Sequence, residues 1–200
     1  MHGLILRTLQ RFLQDTYGRE AWMAMAEAAH LEDAGFEAML SYDPSLLDAV
    51  LDAAAVQLSK PREVLLEDAG TYLVSHPGNE RLRRLLRFGG IDFIDFLHSL
   101  DDLPDRVRLA VPDLHLPEIE LRDFTASQFS LHVHESLPGF GHVLVGLLRA
   151  MADDYGALVL LDHQGASGGA ERVEIQVIET DFASGRDFDL AGPATPRMVS

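Results

Sequence analysis

The hydrophobic repeat of this chain changes its period once, near Pro112, and that single change limits the folds open to it. Upstream, apolar residues recur every three or four positions, the spacing of one helical face. Downstream, apolar and polar residues alternate, the spacing of a strand with one buried side. Helices and strands segregated in this way indicate an α+β fold rather than a repeating βαβ unit.

Local signals place the elements. Leu4, Ile5, Thr8, Leu9, Phe12 and Leu13 predict a helix over 2–17, stopped by Gly18, and Trp22, Met23 and Met25 lie on a second over 19–30, the methionines read as core filler. Asp43-Pro44 and Ser59-Lys60-Pro61 each start a helix, ending near Leu58 and His76. A short basic helix over 79–88 carries Arg81, Arg83, Arg84 and Arg87. Another runs from Ile91 until Pro104 interrupts or kinks it. Residues 118–122 and 129–134 alternate as two antiparallel strands. Pro138-Gly139 opens a helix over about 140–154, and strands at 157–161 and 173–178 flank a Gly165–Gly169 turn. The expected order is six helices, two strands, one helix, two strands: N-terminal helices, then a small four-stranded antiparallel sheet with one inserted helix. The expected unit is 1–180, helical to about 110 and sheet-containing over 111–180, with 181–200 a loosely ordered tail.

Composition narrows the function. The formal charge is −16, from 32 acidic against 16 basic residues, which repels nucleic acid and anionic membrane. There is no cysteine, so thiolate chemistry, disulfides and Cys-based metal sites are excluded. No stretch is apolar enough for a bilayer span and the N-terminus has no secretory pattern, so the cytoplasm is the expected location. No Ser-His-Asp signature, phosphate loop or dinucleotide fingerprint is visible. Gly139-Phe140-Gly141 does not extend into one, and Asp101, Asp102 and Asp105 read as a solvated acidic face. The chain is therefore not expected to be an enzyme.

Five strings occur in order: Met1-His2-Gly3-Leu4-Ile5, Asp15-Thr16-Tyr17-Gly18 followed by Trp22, Phe96–Leu103, Leu131-His132 followed by Pro138-Gly139, and Val145-Gly146-Leu147-Leu148. Together they resemble the heme–nitric oxide/oxygen-binding (H-NOX) family, which includes the regulatory domain of soluble guanylate cyclase. The resemblance covers roughly residues 1–180. It implies a heme- and gas-sensing regulatory domain that acts on a separate signalling protein, a histidine kinase or a cyclic-nucleotide enzyme.

The same resemblance locates a heme site and shows what it lacks. The family's iron-ligating histidine falls at Pro104, after Asp101-Asp102-Leu103, and proline has no lone pair to give. The Tyr-x-Ser-x-Arg motif that binds the propionates falls at Val133, Glu135 and Leu137, which offer neither the phenol, the hydroxyl nor the guanidinium fork. Ile5, Pro112, Val143 and Leu147 match the pocket wall. Heme held there without a donor should favour nitric oxide or carbon monoxide over oxygen. Two readings stand: a nitric oxide sensor with altered heme ligation, or a heme-free signalling domain that binds a partner or another apolar ligand in the same cavity.

Other residues carry alternatives of their own. His98, six residues before Pro104, is either a substitute iron ligand or a surface histidine. His132 and His134 share a strand face and, with His142, are either a metal site or solvated side chains. Arg81, Arg83, Arg84 and Arg87 form either a solvated helix face or a docking patch for an acidic partner or a phosphate.

Overall fold

A computed structural model describes residues 1–33, 35–134 and 137–188. Helix α1 (Gly3–Tyr17) begins where the His2 ring accepts the Leu4 amide. It ends at Gly18, whose φ of +92° only glycine adopts without strain. Helix α2 (Arg19–Ala28) buries Trp22 and Met25, whereas Met23 is about half exposed and is not core filler. Asp43 accepts the Ser45 amide at 2.8 Å to start α3 (Ser45–Leu58), and Pro61 precedes α4 (Arg62–Ser75). The basic segment forms α5 (Glu80–Arg87).

The helix expected to run from Ile91 to Pro104 is two helices. Asp92 caps α6 (Phe93–His98) by accepting the Asp95 amide at 2.8 Å, and Ile91 lies outside the helix, almost fully exposed. Pro104 sits in the first turn of α7 (Leu103–Ala110), where the missing amide hydrogen costs nothing. It starts a helix instead of kinking one. Arg106 ties the two together by donating to the Ser99 carbonyl at 2.7 Å.

Strands β1 (Glu118–Thr125) and β2 (Gln128–His134) precede α8 (Phe140–Tyr155), and β3 (Leu158–Ser167) and β4 (Ala170–Glu179) follow it. The sheet is antiparallel in the order β1-β2-β4-β3. Its inward residues include Ile119, Leu131, Val133, Val173 and Ile175, and the register pairs Leu131 with Leu121 on one side and Val173 on the other.

The buried residues fall into two apolar clusters. One joins α1–α4 around Leu6, Phe12, Trp22 and Leu65, and the other joins α5–α8 and the sheet around Phe93, Phe96, Leu131 and Met151. Helices α4 and α8 bridge them through a close crossing. A methyl group at Gly146 would lie 1.8 Å from the Glu67 carbonyl oxygen, and one at Gly70 would lie 2.0 Å from that of Val143. Residues 181–188, expected to be loose, are pinned to the end of α8: the Ala183 amide donates to Gly156 and the Arg186 amide to Asp154. The rest of that segment lies outside the described residues. No helix among them is long and apolar enough to cross a membrane.

Candidate functional site

At the expected heme position, the side chains do not converge on a heme. Pro104 is half-buried at the start of α7 and presents an amide nitrogen already bonded into the chain. The half-exposed imidazole of His98 lies 3.8 Å from the Asp123 carboxylate and rests edge-on against Phe129. Val133 is wholly buried inside the sheet-side cluster, so no polar group at its position reaches toward a propionate. Leu137 is half-buried, and Glu135 lies outside the described residues. Of the wall positions, Leu147 is buried, Ile5 and Val143 are half-buried, and Pro112 faces solvent rather than a ligand. The residues present do not fit a heme held by an axial imidazole and paired propionates.

The proposed histidine metal site is not assembled. His132 and His134 do share the outer sheet face, rings 6.5 Å apart, but His142 lies elsewhere, on α8. Among the described residues, no group of three His, Asp or Glu side chains has a geometry suited to a metal ion. The outer pair is instead absorbed into an ion network. Glu120 accepts two hydrogen bonds from Arg122, both at 2.8 Å, and lies 3.2 Å from His134 Nε2. Those Arg122 and His134 contacts hold the Glu120 carboxyl down at about 2. Burial, reinforced by Arg122, pulls the pKa of His132 down.

The arginine cluster divides between core and surface. Arg81 is exposed and Arg84 partly so, but Arg83 is buried and Arg87 nearly so, which removes both from any docking patch. They turn toward Asp154, a fully buried carboxylate near the end of α8. Arg83 Nε donates to it at 2.8 Å, and the Nε atoms of Arg87 and Arg186 each lie 3.7 Å away. The Arg87 guanidinium stacks 3.7 Å above the Tyr155 ring. A cleft of about 910 Å³ opens beside it, bordered by Phe88, Ile91, His98 and Phe188.

A second polar cluster was not anticipated. Glu171, buried on the inward face of β4, accepts the amides of Gly139 and Gly141 at 2.9 Å each, so a carboxylate of the chain itself fills the N-terminus of α8. His163 Nε2 lies 3.0 Å from the same carboxylate. The His163 ring packs at a tilt against His142 with centroids 3.9 Å apart, and His142 Nδ1 meets Glu67 of α4 at 3.3 Å. Arg149 donates to the other Glu67 oxygen at 3.0 Å.

The comparisons with known proteins agree with this architecture. The Haem-NO-binding family model matches residues 2–163. Soluble guanylate cyclase gcy-31 of Caenorhabditis elegans is 23% identical over 154 residues, 77% of this chain and 22% of that protein. Soluble guanylate cyclase 89Db of Drosophila melanogaster is 20% identical over 155 residues, 78% of this chain and 23% of that one. The chain thus spans less than a quarter of the length of either cyclase. The crystal structure of the Fe(II) unliganded H-NOX protein from K. algicida superposes with a TM-score of 0.73 at 20% identity, covering 92% of this chain and all of that one. The S. oneidensis H-NOX protein in its Fe(II)NO state gives 0.70 at 19%, covering 88% and 99%. With the family model matching most of its length and the same helices and sheet in place, this chain belongs to the haem-NO-binding (H-NOX) family.

Proposed function

We propose that this chain is a regulatory domain that keeps the H-NOX fold without an iron–imidazole bond and acts by contact with a separate signalling protein. The observation that carries this reading is Pro104 in the first turn of α7 at the family's ligand position. The buried Val133 supports it, because the propionate side has lost its donors as well. Charge-assisted hydrogen bonds contribute about 1.5–3 kcal/mol each, so losing several together with the iron bond weakens heme binding by many factors of ten. The cyclase activity named for the relatives is not carried over: the matched region is a minor part of those proteins. A histidine kinase or cyclic-nucleotide enzyme remains the partner class, with Arg81 and Arg84 available to an acidic surface.

The test is spectroscopic. The full chain is expressed with heme supplied, purified, and its absorption recorded with and without reductant and nitric oxide. The expected result is no stoichiometric Soret band from the natural sequence and heme uptake by a Pro104→His variant. A stoichiometric band that shifts with nitric oxide in the natural sequence would overturn the reading and restore a gas sensor.

A further inference from the structure

We propose that His163 and Glu171 form a proton-operated latch that pins the irregular stretch of β3 at Gly165 while the His163 ring is neutral and releases that stretch when the ring takes a second proton. The hydrogen bonds around the ring carry the argument. Nε2 faces the Glu171 carboxylate at 3.0 Å, and Nδ1 receives the Gly165 amide at 3.3 Å. An ionised carboxylate only accepts, so Nε2 carries the hydrogen, and Nδ1, receiving an N–H, must be the bare nitrogen. Both ring nitrogens are satisfied in this one neutral tautomer. A second proton has one place to go, Nδ1, and there it turns an acceptor into a donor facing another donor. The imidazolium and the Gly165 hydrogen bond exclude each other.

The bond that is lost sits where the hairpin is irregular. The β3–β4 register shifts between His163 and Ala166, and Gly165 has φ +76°, a left-handed conformation that the contact to His163 helps to hold. The charged and titratable groups that face His163 among the described residues come from every element around it. They are Glu171 from β4, His142 and Arg149 from α8, and Glu67 from α4, which lies against both of the latter. Glu171 gains an ion pair when His163 is charged, so the α8 cap at Gly139 and Gly141 stays in place. His142, packed with its ring centroid 3.9 Å away, opposes a second charge beside it. Acid therefore frees the Gly165 stretch of β3 and leaves the start of α8 fixed. The stimulus such a domain reads is a proton, and the part that moves is the irregular stretch of β3 at Gly165.

Nuclear magnetic resonance of the full chain tests this across about pH 5–8, the range in which imidazoles titrate. The expected result is that the Gly165 amide shifts with the same midpoint as His163 Cε1. Its protection from exchange should fall on the order of fivefold, the equivalent of one hydrogen bond of about 1 kcal/mol. The Gly139 and Gly141 amides should stay protected. In His163→Asn, Oδ1 stands in for Nδ1 and does not titrate, so Gly165 should keep its protection at low pH. In His163→Gln, which keeps only the donor toward Glu171, Gly165 should be unprotected at every pH. A Gly165 amide indifferent to the titration of His163, or an Asn variant that responds to pH as the natural sequence does, overturns the latch. The natural-sequence titration decides the question even if a variant does not fold. The readout involves no heme, so its failure leaves the proposed function untouched.

Discussion

Replacing Asp154 by alanine should destabilise the protein by several kcal/mol at most, and the structure sets the size. Asp154 is fully buried, and its principal partner, Arg83, has only 6% of its side chain exposed. Burial by itself drags the Arg83 pKa down, yet Asp154 and then Glu80 more than reverse this, so the net direction is up. Without Asp154, the Arg83 guanidinium remains buried with Glu80 at 3.1 Å and the Asp187 carbonyl at 3.1 Å as its remaining polar contacts. Breaking a buried pair from one side costs about 3–5 kcal/mol, and the partial compensation by Glu80 points to about 3. For a domain of this size, 1 kcal/mol moves Tm by about 2–4 °C, so Asp154→Ala should melt about 6–12 °C lower by circular dichroism. Asp154→Ala combined with Arg83→Met removes the principal pair and should recover part of the loss, the nearly buried Arg87 guanidinium remaining beside the vacated site. A single variant that melts within about 2 °C of the natural sequence would refute the reasoning, because a buried guanidinium that loses its principal partner cannot be that cheap.

Two further outcomes follow from the geometry. Gly146→Ala places a methyl group 1.8 Å from the Glu67 carbonyl oxygen and 2.9 Å from the Thr71 amide nitrogen, backbone atoms that cannot turn aside. Helices α4 and α8 must separate, and denaturant unfolding should show a loss of about 3 kcal/mol or more. Glu120 has a folded pKa of about 2, below its ordinary 4.5, because of Arg122 and His134. Its contribution is therefore present above the ordinary carboxylate range and is lost as pH falls through about 2. A carboxyl-detected titration should find Glu120 ionised well below the ordinary glutamate value of 4.5, and Arg122→Ala should return it toward that value.

How far the sequence speaks depends on whether the determining contact is local. Gly18 and Pro61 act within a turn of themselves, and the elements they bound are where local chemistry puts them. Pro104 was legible as a break but ambiguous between a kink and a start. Asp92 supplies a cap for α6 and Ser99 receives Arg106, contacts that spacing alone does not reveal. Arg83 reads as surface because its partner, Asp154, is 71 positions away. A signal did exist. Asp154 follows Leu147 and Met151 at helical spacing on the buried side of α8, and Glu171 alternates in step with Val173, Ile175 and Val177. A carboxylate in an apolar register announces a buried partner, although it does not say which one. The candidate heme positions were legible only through resemblance, since a proline or a buried valine has no chemistry of its own to mark what it lacks.

The partition of buried side chains has a consequence for how the chain is made. The helical cluster draws its buried residues from Leu6 to Leu65, and the sheet-side cluster draws its own from Val74 to Val177. During synthesis the first can condense as soon as α4 leaves the ribosome. The second must wait until β4 pairs with β2, across a separation that slows closure. Until then α8 has no Glu171 at its N-terminus, and its apolar face has only α4 to lie on. Nascent chains halted before β4 should therefore hold a folded N-terminal third and an adhesive remainder, the stretch that a chaperone would recognise.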